Sequence, residues 1–167
     1  MADIINKVEA SGLVQIELSE LLPPTQVKGL DLAPMLWEGM VLREKPFREA
    51  LKSLSLNPWE GHRVALHCSA DAIIPDWAWM LVTSVCAKHG LVVEVGTPEE
   101  IQTRMHLRNI DNLDISLYQD ARLVIKGCST VGGPEVLSAL VTKLQPVVRS
   151  LMFGEACSTV PIFKRRQ

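Results

Sequence analysis

From Arg63 onward, short apolar runs alternate with helical stretches, and this alternation limits the possible folds more than any other feature of the chain. Val64-Ala65-Leu66 reads as a buried strand. Pro75 to Lys88 reads as a helix with Pro at its start and apolar residues nearly all round, and His89-Gly90 end it with a cationic turn and a glycine. Leu91 to Gly96 is a second strand. Thr97-Pro98-Glu99-Glu100 opens another helix, with Thr97 as N-cap, Pro98 first in the helix and Glu100 placed to close a capping box. Asp114 to Tyr118 is a short helical stretch, Ala121 to Gly127 a third strand, and Pro134 starts a helix through Leu144. Strands alternating with helices pair in parallel, with right-handed crossovers. The expected fold is α/β and three-layer, with a mostly parallel sheet, helices on both faces and a peripheral N-terminal layer. The expected strand order is second, first, third, which makes Val64–Leu66 and Arg122–Ile125 parallel neighbours.

The flanking segments carry weaker signals. Ile4 to Ala10 fits one or two helical turns, and Leu13 to Leu18 alternates as a half-exposed strand does before Pro23-Pro24 stop it. Asp31 can cap a short helix over Leu32 to Trp37, Met40 to Leu42 is a short extended run, and Pro46 to Leu54 has helical spacing behind a Pro. No flexible linker divides the chain, so a single α/β domain over 1–167 is expected, with 1–60 as the peripheral layer and 61–167 as the sheet core. Val147, Val148, Leu151 and Met152 have helical spacing with Gly154 as cap, and Pro161 limits Thr159 to Phe163 to an edge strand or coil. In the first crossover helix, Trp77, Met80, Leu81 and Val85 are the expected central core contacts.

Composition narrows the function classes. The net charge of -2 leaves no electrostatic footprint for a nucleic-acid partner, and Lys164-Arg165-Arg166 reads as a solubilising end. The N-terminus lacks the basic-then-apolar order of a signal peptide, and no apolar run approaches a membrane span. A cytoplasmic protein without a membrane partner is expected, its four cysteines reduced.

Ligands of open α/β sheets bind beyond the carboxyl ends of the strands, where the winding reverses. On the expected order, Cys68 after the first strand and Cys128 after the third meet there. Cys157 joins them if the segment after Leu144 climbs back along the sheet. Three thiolates with a carboxylate or water make a tetrahedral zinc site, and thiolates also hold iron. Asp71 or Glu155 would be the fourth ligand or stand behind the ligands. No pair has Cys-x-x-Cys spacing, and free Cys is commonly a small buried residue. Asp71 could instead cap its own loop, and Glu155 could accept backbone amides beside Gly154. His62, His89 and His106 fit capping or solvent contact, and Cys86 fits the core. The loop from Gly127 to Gly133, with Ser129 and Thr130, lacks the Lys-Ser/Thr of a phosphate-binding loop.

Three function classes stay open. One is a metal-binding protein with a zinc or iron site. Another is a thiol-dependent or metal-assisted enzyme using Cys68 or Cys128, for which His67 is a poor base because strand neighbours point to opposite faces. The third is a non-catalytic interaction module, which could be a homo-oligomer. The catalytic residues, the reaction and the small-molecule ligand are not legible, and no cofactor-binding motif is present.

Cys68-Ser69-Ala70-Asp71-Ala72-Ile73-Ile74-Pro75 with Trp77-Ala78, Ile125-Lys126-Gly127-Cys128-Ser129, and Met152 through Pro161 together resemble the bacterial domain-of-unknown-function family numbered 2480. Leu42-Arg43-Glu44-Lys45 and Phe47-Arg48-Glu49 resemble it too. The resemblance covers nearly the whole chain. It implies a small bacterial cytoplasmic protein and brings no activity with it.

Overall fold

The computed structural model describes residues 13–127, 133–155 and 158–166. The chain begins with β1 (Leu13–Glu17), the one-turn helix α1 (Leu18–Leu21), β2 (Val27–Asp31) and α2 (Glu44–Ser53). There follow β3 (Arg63–His67), α3 (Asp76–Lys88), β4 (Val92–Val95) and α4 (Pro98–Asp111). The rest is β5 (Arg122–Lys126), α5 (Gly133–Leu144), β6 (Ser150–Glu155) and β7 (Ser158–Lys164). The chain divides into two compact units, Met1–Pro24 with Thr103–Gln167, and Thr25–Gln102, the division falling inside α4.

In the unit Thr25–Gln102, β2, β3 and β4 form a parallel sheet in that order. Leu30 lies opposite Leu66, and with Val64 they meet Phe47 and Leu51 of α2 and Ala78, Val82 and Cys86 of α3 in one apolar cluster. The two crossover helices share a face, as successive right-handed crossovers in one direction require. The other face is thin. Ala65 is fully buried there, and a Cβ on Gly29 would come within 2.9 Å of His67 Cε1 and 3.3 Å of Pro98 Cγ at the start of α4. Helix, sheet and helix are thus layered as the alternation implies.

In the other unit the order is β1-β5-β6-β7, the first three parallel and β7 antiparallel at the edge. Val136, Leu140 and Leu144 recur every four residues along α5 and pack with Ile16, Leu123, Ile125 and Leu151 of the strands and Ile110 of α4. Gly154 is required where β6 turns toward β7. Its φ is +120°, and a Cβ would stand 2.6 Å from the Ser158 carbonyl oxygen.

The α/β class is as read from the sequence; the sheet topology is not. Val64–Leu66 and Arg122–Ile125 are not neighbours, because β3 and β5 belong to two different sheets. Each takes a parallel partner from the first 31 residues, so 1–60 supplies a strand to both sheets where a peripheral layer was expected. β2 is the strand that sequence reasoning missed. Lys28, Gly29 and Asp31 give it low strand propensity, and parallel pairing with β3 overrides that. Val147 to Met152 is not a helix: Ser150 to Phe153 pair with Arg122 to Ile125 as a strand. Six residues, apolar at Val147, Val148, Leu151 and Met152, are too few to distinguish the two periods. In α3 the buried positions are Ala78, Val82 and Cys86, while Trp77, Leu81 and Val85 are partly buried around them and Met80 is 72% exposed. A helix apolar all round gives no direction, and its small residues are the ones that allow close approach to the sheet.

Phe47 is fully buried and its ring meets Trp77 edge-on at 5.9 Å. Phe47→Ala will cost about 3–5 kcal/mol, and Met80→Ala will stay within about 0.5 kcal/mol of the parent. Urea denaturation midpoints of the two variants check the assignment.

Candidate functional site

The carboxyl ends of parallel strands gather polar side chains in both units. In Thr25–Gln102 the organising group is Asp31, the last residue of β2. Its Oδ1 accepts from the Ser69 and Ala33 amides, both at 2.9 Å, and its Oδ2 accepts from the Ser69 hydroxyl at 2.5 Å. Burial opposes ionisation of Asp31. The Ser69 hydroxyl and the two amides outweigh it, and the nearby His67 adds to them, so the carboxyl is held below its ordinary value. The loop after β3 is therefore pinned to the end of β2. Sequence reasoning placed Asp31 as a cap for the following turn, which it is, and gave the loop to Asp71. Asp71 is exposed and makes no hydrogen bond among the described residues.

Cys68 is partly buried, its thiol directed to the Ala70 carbonyl at 3.6 Å. His67 Nδ1 is 3.2 Å from the Ala65 carbonyl, so its hydrogen bond is with the backbone, not the Cys68 thiol. At the end of β4 the capping box forms as read. The Thr97 amide donates to Glu100 Oε2 at 2.9 Å, and the Glu100 amide donates to Thr97 Oγ1 at 3.3 Å. Cys86 is fully buried, and burial pushes its thiol pKa up, as an inert core residue requires.

In the other unit Lys126 closes β5. Its Nζ lies 2.8 Å from Glu17 Oε1 at the end of β1 and 3.5 Å from Glu155 Oε2 at the end of β6. The hydrogen bond that Lys126 donates to Glu17 is the main reason its pKa is raised, and Glu155 adds to it. Glu155 thus has a lysine partner among the described residues. Cys128 and Cys157 lie outside the described residues, each two positions beyond Lys126 and Glu155. The segment after Leu144 does climb back beside β5, the condition on which Cys157 reaches the end where Cys128 departs. The adjacency of β3 and β5 that was to bring Cys68 to the same place is absent. Among the described residues no three His, Cys, Asp or Glu are grouped to hold a metal ion, and no helix is long and apolar enough to cross a membrane.

His106 was read as fitting capping or solvent contact and is instead buried. Burial lowers its pKa against a hydrogen bond with the Pro23 carbonyl, so the ring is kept neutral. Its place on the inner side of α4 is not visible in a sequence that surrounds it with Arg104 and Arg108.

The family model described as "Protein of unknown function (DUF2480)" matches residues 2–165, and the chain belongs to that family. No curated protein and no solved structure matches it.

Asp31→Ala will destabilise the protein by about 1–2 kcal/mol near neutral pH through the lost cap and loop bonds. A depressed carboxyl pKa contributes stability above the unfolded value of 3.8, lost as pH falls through the lower folded value. Denaturation midpoints of parent and variant, separated at neutral pH, will therefore draw together below about pH 4.

Proposed function

We propose that this member of the DUF2480 family binds a metal ion, zinc or iron, through Cys128 and Cys157 beyond the carboxyl ends of β5 and β6, with Glu155 as the nearby carboxylate. The observation that carries the reading is the 3.5 Å contact between Lys126 and Glu155 on parallel neighbours. Each thiol is tethered two residues further on, a reach of at most about 7 Å of chain. Thiolates are the ligands on which zinc and iron sites are most often built. A lysine ammonium beside the strand ends favours the deprotonated thiols that ligation needs. Cys68 is the third thiol of the expected set, and its contribution, with that of Asp71, is read separately.

Protein purified without chelator will carry about one zinc or iron per chain by elemental analysis. Removing the metal will expose thiols to a disulfide reagent. Replacing Cys128 and Cys157 together by Ser will abolish binding, and Cys68→Ser and Asp71→Asn, made singly, show whether either contributes a ligand. Protein that purifies without zinc or iron, its Cys128 and Cys157 already reacting at the rate of an unfolded control, would refute the reading.

A further inference from the structure

Arg122, Arg149, Lys164, Arg165 and Arg166 line one cleft of about 1000 Å³ in the unit that carries β5 and β6. The register explains how they meet. Arg122 opens β5 opposite Ser150, which opens β6, and Ser150 lies opposite Lys164, which closes β7. Neighbouring strands are about 4.8 Å apart, so three of them put these positions within roughly 10 Å. The Arg149 amide donates to the Ala121 carbonyl at 2.8 Å, and the Arg165 amide donates to the Arg149 carbonyl at 3.0 Å. The Arg165 guanidinium is anchored at both ends of its fork, Nη1 to Asp120 Oδ1 at 2.6 Å and Nη2 to the Pro146 carbonyl at 3.2 Å. The basic run at the C-terminal end, read from sequence as a solubilising end, is thus part of the sheet's hydrogen-bond network.

Among the described residues that line the cleft there is no carboxylate. Among the described residues, no acidic side chain pairs with Arg149, Lys164 or Arg166. A chain of net charge -2 has no compositional reason to gather five of its 17 Lys and Arg at one place. Arg149, Lys164 and Arg166 lie within about one screening length of one another, about 10 Å at 0.1 M salt, and repel until an anion enters. Guanidinium forks match phosphate oxygens two at a time. The volume is at the upper end of small-molecule sites, and Met152 and Phe163 add apolar surface beside the charges.

We propose that this cleft binds a small organic phosphate carrying at least two negative charges. It lies at the amino ends of β5 and β6, the opposite end from Lys126 and Glu155, and is independent of the thiols. The chemistry it recognises is the charged phosphate, with an apolar or aromatic body lying on Met152 and Phe163.

Calorimetric titration of the full chain with ATP, inorganic pyrophosphate and adenosine tests this. ATP and pyrophosphate will bind and adenosine will not, and raising salt from about 0.1 M to about 0.5 M will weaken both phosphates. Replacing Arg149 and Arg166 together by Ala will weaken ATP binding about tenfold or more, the loss of one charge-assisted contact or two. Both side chains are exposed, so the variant's melting midpoint will match the parent's. Arg48→Ala, on α2 in the other unit, will leave binding unchanged. Failure of both phosphates to bind would overturn the proposal, even if long oligonucleotides do, and so would unchanged ATP binding by the double variant.

Discussion

The parallel pairing of β1 with β5 is the constraint on which the plan of the molecule rests. Leu13 faces Arg122 and Glu17 faces Lys126, so the whole of Thr25–Gln102 lies between two strands that are neighbours in space. Parallel strands cannot be joined by a tight turn. Here the connection is a compact unit with its own sheet and core. The cost of closing so long a connection grows only slowly with its length. It is reduced further because the inserted unit brings its own ends together, the Thr25 amide donating to Gln102 Oε1 at 3.1 Å. At the far end of the β1–β5 pairing, Glu17 and Lys126 close the ladder with an ion pair.

Local signals in the sequence were reliable where the chain itself satisfies its backbone groups. Thr97 and Glu100 can cap each other without any distant partner, and they do. Asp114 likewise caps its own turn through the Ser116 amide. Signals failed where a partner far along the chain decides the outcome. Val27 to Asp31 becomes a strand because Arg63 to His67 lies beside it, and Ser150 to Phe153 because Arg122 to Ile125 does. Strand order followed the same rule. A pattern of alternating elements specifies parallel pairing and crossover hand, but not which strands share a sheet. The candidate site inherited that limit. The loop after β3 was read through its own Asp71, yet the carboxylate that orders it is Asp31, which no spacing rule connects to Ser69.

The sheet of β1, β5, β6 and β7 has two chemically distinct ends. At the carboxyl end one lysine is held between two glutamates, so charge is nearly balanced and the groups satisfy one another. At the amino end cations from β5, β7, the residue before β6 and the chain beyond β7 converge around a cleft with no acidic residue among its described lining. The strands between are only five or six residues long. Both ends are therefore carried by the same rigid backbone, while charge at one is separated from charge at the other by more than a screening length at physiological salt.

The interrupted sheet also orders events during synthesis. β1 leaves the ribosome well before β5, its only strand partner among the described residues. At ordinary elongation rates of about 5–20 residues per second, it waits roughly 5–20 s with its edge open. Every strand and both crossover helices of Thr25–Gln102 emerge during that wait. The inserted unit can therefore complete its own sheet first, while the surrounding one remains a single unpaired strand. Leu13, Val14 and Ile16 are the apolar side chains of that strand, so the N-terminal segment is the part of the nascent chain most dependent on protection from other unpaired edges.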